Sequence, residues 1–133
     1  MITLEKRRYT LHKSERLCSK KLIERLFGGG NKSFPAFPIR VVYMPVEDGE
    51  TTADVSILIS VPKKRFHDAV DRNRVKRQLR EAYRKHKHAL ISRMAERGEG
   101  LLIAFVYVSP QIEHTEYIEK RMVRLLDKIG EAL

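Results

Sequence analysis

The run Asp71-Arg72-Asn73-Arg74-Val75-Lys76-Arg77-Gln78-Leu79-Arg80-Glu81-Ala82-Tyr83-Arg84 is where the fold and the chemistry of this chain are most legible. At about 100° per residue and with Val75 at zero, Leu79, Ala82, His86 and Ala89 fall within about 40° of Val75. Asn73, Lys76, Arg77, Arg80, Arg84 and Lys87 fall between about 100° and 200°. The spacing predicts a helix with one packing face and, opposite it, a row of cations about 5–6 Å apart per helical step. With no internal Gly or Pro, the helix is expected to run from Asp71 to about Arg97, where Gly98 and Gly100 stop it.

Outward from this helix, the neighbouring segments change period. On its N-terminal side, Ala53 to Val61 alternates as a strand, with Val55, Ile57, Ile59 and Val61 on one face and Asp54, Ser56 and Ser60 on the other. Pro62 closes it. Phe37 to Met44 is a second strand. The turn chemistry of Glu47-Asp48-Gly49-Glu50 between the two predicts a hairpin. Further back, Ser19 is placed to cap a short helix carrying Leu22, Ile23, Leu26 and Phe27, ended by Gly28-Gly29-Gly30. On the C-terminal side, Leu101 to Val108 is almost wholly apolar, as expected of a central strand buried on both faces. Thr115 to Leu133 is a last helix with the stripe Ile118, Met122, Leu125, Leu126 and Ile129. The order helix, hairpin, helix, strand, helix predicts an α+β sandwich, with three helices packed on one sheet in a single domain over residues 1–133.

Charge points to the partner. Residues 63–88 hold 11 basic and 3 acidic side chains, net +8, out of a net +10 for the 133 residues. Residues 1–62 are net +3 and residues 89–133 are net −1. A positive patch this focused suits a polyanion, most often nucleic acid. The Arg-rich face fits phosphates through paired hydrogen bonds, and Asn73 adds a contact to phosphate or sugar. An anionic membrane is the other candidate, but the apolar stripe is modest and is needed by the sheet. No apolar run is long enough to span a bilayer. The lone Cys18 excludes an intrachain disulfide and a multi-cysteine zinc site, and fits the reducing cytoplasm.

Enzymatic constellations are absent from the sequence pattern. Gly28-Gly29-Gly30-Asn31-Lys32-Ser33 superficially resembles a phosphate loop, but Leu26 and Asn31 stand where glycines belong and the run follows a helix, not a strand. His86 and His88 point about 200° apart. His12, His67 and His114 show no metal spacing. No nucleophile–base pair is legible.

Arg72-Asn73-Arg74-Val75-Lys76-Arg77, with Leu79-Arg80-Glu81 and Ala82-Tyr83-Arg84, closely resembles the signature helix of the bacterial ribonuclease P protein family. Ile59-Ser60-Val61-Pro62-Lys63-Lys64 is similar to the strand and Lys-rich turn before that helix. Leu11 to Leu17, with the Phe27 to Gly30 region, is similar to the family's N-terminal segment. Two features depart from the pattern: Lys64 to Asp68 lacks the family's glycine and is one residue longer, and the glycine run is longer than usual.

The resemblance implies a two-layer α+β sandwich of about four strands and three helices, ribosomal-protein-like, with a left-handed β-α-β crossover. It implies a monomeric protein subunit joined to one catalytic RNA. That RNA performs the hydrolysis with bound Mg2+ and removes the 5′ leader of precursor tRNA. Carried over by position, Lys63, Lys64, Arg72, Asn73, Arg74, Lys76, Arg77, Arg80 and Arg84 are candidate contacts to ribonuclease P RNA. Lys13, Arg16, Phe27, Arg40 and Tyr43 are candidates for a leader cleft between the first helix and the sheet, where cations meet phosphates and aromatic faces stack on bases. Phe27 doubles as a core candidate, Tyr43 is balanced between cleft and core, and Arg16 and Arg40 double as plain surface positions. A structural RNA-binding protein of ribosomal type is the alternative.

Overall fold

A computed structural model describes residues 15–17, 19–29, 31–47, 50–51 and 53–133. The elements are α1 (Lys20–Phe27), β1 (Lys32–Ala36), β2 (Ile39–Val46), β3 (Val55–Ser60), α2 (Ala69–His86), α3 (His88–Arg97), β4 (Gly100–Tyr107) and α4 (Thr115–Ala132). They form an α+β domain on one four-stranded sheet of order β1-β2-β4-β3.

β4 is the centre of the sheet. Leu101 to Phe105 are all fully buried, because one neighbour is β2, antiparallel, and the other is β3, parallel. An uninterrupted apolar strand is what burial on both faces requires. The expected β2–β3 hairpin is not made: β4 inserts between the two strands. The hairpin partner of β2 is instead β1, with Phe34 opposite Val41. Hydrophobic alternation marks both β2 and β3 as strands but carries no information on which strand lies beside which. The parallel β3–β4 pair is joined by α2 and α3, giving the β-α-β unit.

The two faces of the sheet carry different helices. Ile39, Val41, Tyr43, Val55, Ile57, Leu101, Ile103, Phe105 and Tyr107 face the larger core, with Val75, Leu79, Ala82 and Tyr83 of α2 and Ile118, Met122, Leu125, Leu126 and Ile129 of α4. Val42, Val46, Leu102 and Ala104 face the other way, against Leu17 and Leu26. α1 therefore lies across the sheet from the other helices, rather than beside them. Its start is capped as expected: Ser19 Oγ accepts from the Leu22 amide at 3.3 Å. Its end is held partly from outside, since Asn31 Nδ2 donates to the carbonyls of Arg25 (2.9 Å) and Leu26 (2.8 Å).

The helix expected from Asp71 to Arg97 is two helices, so the described residues hold four helices rather than three. The break falls at Lys87, where there is neither Gly nor Pro. Lys87 is 2% exposed and its Nζ donates to both carboxylate oxygens of Glu15, at 2.7 and 2.9 Å. The phase predicted for one continuous helix fails from this point: Lys87 turns into the protein instead of joining the cationic row, and His86 and Ala89 are exposed. α3 ends as predicted at Gly98, whose φ of 69° is left-handed and favours glycine.

Tyr83 is fully buried with its ring 5.8 Å from that of Phe105. Its hydroxyl has no hydrogen-bond partner among the described residues, and burial first, then the nearby Glu15, pushes its pKa up. An unsatisfied buried hydroxyl costs about 1–3 kcal/mol. Tyr83→Phe is therefore expected to leave stability unchanged or raise it by about 1 kcal/mol, read from the urea midpoint. A loss of that size would show that the hydroxyl is bonded.

Candidate nucleic-acid interface

α2 positions its cations by the same periodicity that buries its other face. Val75 and Leu79 are fully buried and Ala82 nearly so, against the sheet. On one flank α2 is tied to α4. Gln78 Nε2 donates to the Glu113 carbonyl (3.1 Å) and the Thr115 hydroxyl (3.0 Å), and His86 Nε2 lies 2.7 Å from Glu119 Oε2. What remains outward holds Asn73, Arg74 and Arg77, all exposed, and Lys76 and Arg80, half-buried along their stems. Among the described residues, none of these four cations has a carboxylate within ion-pairing distance. Lys63 and Lys64 are exposed in the turn between β3 and α2, N-terminal to this face.

Two of the candidate cations are engaged within the protein. Arg72 is half-buried and its Nη1 donates to the carbonyls of Phe66 and His67, both at 2.8 Å. It closes the glycine-free turn onto the start of α2. Its phase, about 60° from Val75, is the signal that separates it from the outward row. Arg84 makes a two-bonded pair with Glu81, Nε to Oε2 at 3.0 Å and Nη2 to Oε1 at 2.8 Å. That hydrogen bond holds the Glu81 carboxyl below the usual carboxylate range. The i, i+3 spacing of the two residues is the sequence signal for this pair, which the outward row passed over.

The second group of candidates divides. Arg16 is exposed and bridges Ile57 of β3. Phe27 is 48% exposed at the end of α1, so it is not the core residue that its helical stripe suggested. Arg40 is exposed on the side of β2 that faces α1. Tyr43 does not join them. Its odd position in β2 turns it to the other face of the sheet, where it is 3% exposed and meets Phe34 edge-on at 5.9 Å. Burial raises its pKa. Lys13 lies outside the described residues.

A sequence model of the Ribonuclease P family matches residues 11–130. The chain belongs to the ribonuclease P protein family. The ribonuclease P protein component of Porphyromonas gingivalis is 44% identical over 122 residues, covering 92% of this chain and 88% of that one. That of Chlorobaculum tepidum is 37% identical over 110 residues, covering 77% and 70%. The fold is also that of solved ribonuclease P proteins. The Staphylococcus aureus structure superposes with a TM-score of 0.68 at 22% identity, over 88% of this chain and 96% of that one. The Thermotoga maritima structure superposes with a TM-score of 0.65 at 20% identity, over 86% and 96%. As a ribonuclease P protein component, the chain is part of a ribonucleoprotein endoribonuclease of tRNA processing, and its partner is RNA. Among the described residues, no helix is long and apolar enough to cross a membrane.

Proposed function

We propose that this protein binds ribonuclease P RNA through the outward face of α2 and the 5′ leader of precursor tRNA through the α1 side of the sheet, and so promotes magnesium-dependent removal of the leader in the cytoplasm. The observation that carries the proposal is the row Lys76, Arg77 and Arg80, with Arg74 on its flank, unpaired among the described residues and backed by fully buried Val75 and Leu79. Cations on a helix whose other face is locked into a core are preorganised for successive phosphates. Lys63, Lys64 and Asn73 extend this face. Arg72 and Arg84 contribute by shaping it: one holds the turn, the other is held by Glu81. On the leader side, Arg16 and Arg40 supply cations and Phe27 an aromatic face, with Lys13 assigned by family resemblance alone.

Magnesium belongs with the RNA in this reading. Among the described residues no three His, Cys, Asp or Glu side chains converge. The protein's part is to bring charge to an RNA that carries the chemistry, in a complex of one protein and one RNA.

The test is cleavage of a precursor tRNA by a bacterial ribonuclease P RNA at low magnesium, with and without the protein. Stimulation is expected. Tight RNA binding without stimulation would instead support a structural RNA-binding protein of ribosomal type.

A further inference from the structure

α4 carries a second line of cations, on a different helix from the first. Tyr117, Arg121, Arg124 and Lys128 stand at i, i+4, i+7 and i+11, within about 60° of one another around the helix. The buried residues of α4 lie to one side of this line. Since α4 packs on β2 and β1, the line runs beside β1, the edge strand. There the cations meet aromatic rings. Lys128 Nζ sits 4.9 Å from the ring centre of Phe34, and Arg121 Cζ sits 5.2 Å from that of Tyr117. The Tyr117 hydroxyl donates to the Phe37 carbonyl at 3.3 Å, which ties the helix to the β1–β2 turn. The Phe37 side chain is 50% exposed, among the few large apolar residues left open to solvent. Lys32 is exposed on β1 two residues from Phe34, on the same side of the strand.

Between Tyr117 and Lys128 no carboxylate shares this line. Among the described residues, none of Arg121, Arg124 and Lys128 is ion-paired. The segment from residue 89 to 133 is net −1, yet these cations are gathered on one strip, which Glu131 closes at its C-terminal end. We propose that the strip is a second RNA-binding surface, which takes a single-stranded stretch with its phosphates on Arg121, Arg124 and Lys128 and a base stacked on Phe37. An exposed ring beside held cations suits an unpaired base, because a paired base keeps its faces inside the helical stack. An acidic peptide would use the cations but has no partner for the ring. β1 and β3 are opposite edges of the sheet, three strand spacings or about 14 Å apart. The strip lies beside the edge of the sheet opposite β3 and its cations are all on α4, so it does not depend on the α2 assignment.

The probe is a short fluorescent oligouridine, titrated with the full chain over a range of salt. Arg121→Ala/Arg124→Ala/Lys128→Ala is expected to lower the slope of log affinity against log salt by about 2, close to 0.7 per lost phosphate contact. Phe37→Ala is expected to weaken binding about fivefold with an unchanged slope, the mark of lost stacking rather than lost charge. All four positions are solvent-accessible and outside the buried core, and thermal melting checks that the variants stay folded. Arg74→Ala/Arg77→Ala/Arg80→Ala serves as the separate arm for the α2 face. Wild-type affinity and slope in the α4 variant overturn the proposal, whatever the α2 variant does. Equal competition by polyglutamate and oligouridine also overturns it, since charge alone would then account for binding.

Discussion

Lys87→Ala is expected to cost about 3–5 kcal/mol of folding stability, the largest loss of any exchange outside the apolar core. The Lys87 and Glu15 side chains are 2% and 8% exposed, and the ammonium sits 2.7 and 2.9 Å from the two carboxylate oxygens. Removing the cation takes the opposite charge from a carboxylate in surroundings that hold the fully buried Tyr83 ring. The pair itself is not worth that much, because bringing both charges out of water offsets most of their attraction. Glu15→Leu/Lys87→Met is therefore expected to recover most of the loss. Urea denaturation of the two variants decides it. A Lys87→Ala cost below about 1 kcal/mol would mean that the carboxylate stays hydrated in the folded protein. The consequence for the RNA surfaces is geometric. The pair ties the chain around Glu15, Arg16 and Leu17, which runs along Ile57 of β3, to the point where α2 ends and α3 begins. Its loss should loosen Glu15 to Leu17 against Ile57 of β3.

Arg74→Ala/Arg77→Ala/Arg80→Ala is expected to weaken binding to ribonuclease P RNA about a hundredfold or more and to lower the salt slope by about 2 to 3. It should abolish stimulation of precursor-tRNA cleavage at low magnesium. The thermal midpoint should barely move, because these side chains point away from the core and exposed exchanges of this kind stay within about 0.5 kcal/mol each. Arg72 is left out of this variant on purpose: its guanidinium holds two loop carbonyls, so Arg72→Ala would mix lost RNA contact with a loosened turn. An unchanged slope in the triple variant would remove the α2 face from the RNA contact.

Local periodicity was sufficient for α4, where Ile118, Met122, Leu125, Leu126 and Ile129 are the buried stripe, and for β4, whose apolar run is the sheet centre. It was sufficient for the N-terminal part of α2, where Val75, Leu79 and Ala82 are buried while Asn73 and Arg77 stand out. It failed where a partner distant in sequence decides. Tyr43 alternates correctly with its neighbours, yet which face of β2 meets α1 depends on the packing of Leu17 and Leu26 on Val42 and Val46. Phe27 belongs to the apolar stripe of α1, but the stripe extends past the end of the sheet contact and leaves the ring in solvent.

What the sequence alone determined is the family, the α+β class and the outward cationic face of α2. The family rests on the resemblance of the Arg72 to Arg84 motif; the class and the cationic face follow from local spacing, because backbone geometry maps residue separation directly onto faces. What only the tertiary structure decided is the insertion of β4 between β2 and β3, the placing of α1 on the far side of the sheet, the break at Lys87, and the meeting of α4 with the rings of β1. All four are contacts between segments distant along the chain. Glu15 and Lys87, 72 residues apart, are the sharpest case: neither signals burial in its local sequence, and the fold brings each the opposite charge that offsets part of its burial cost.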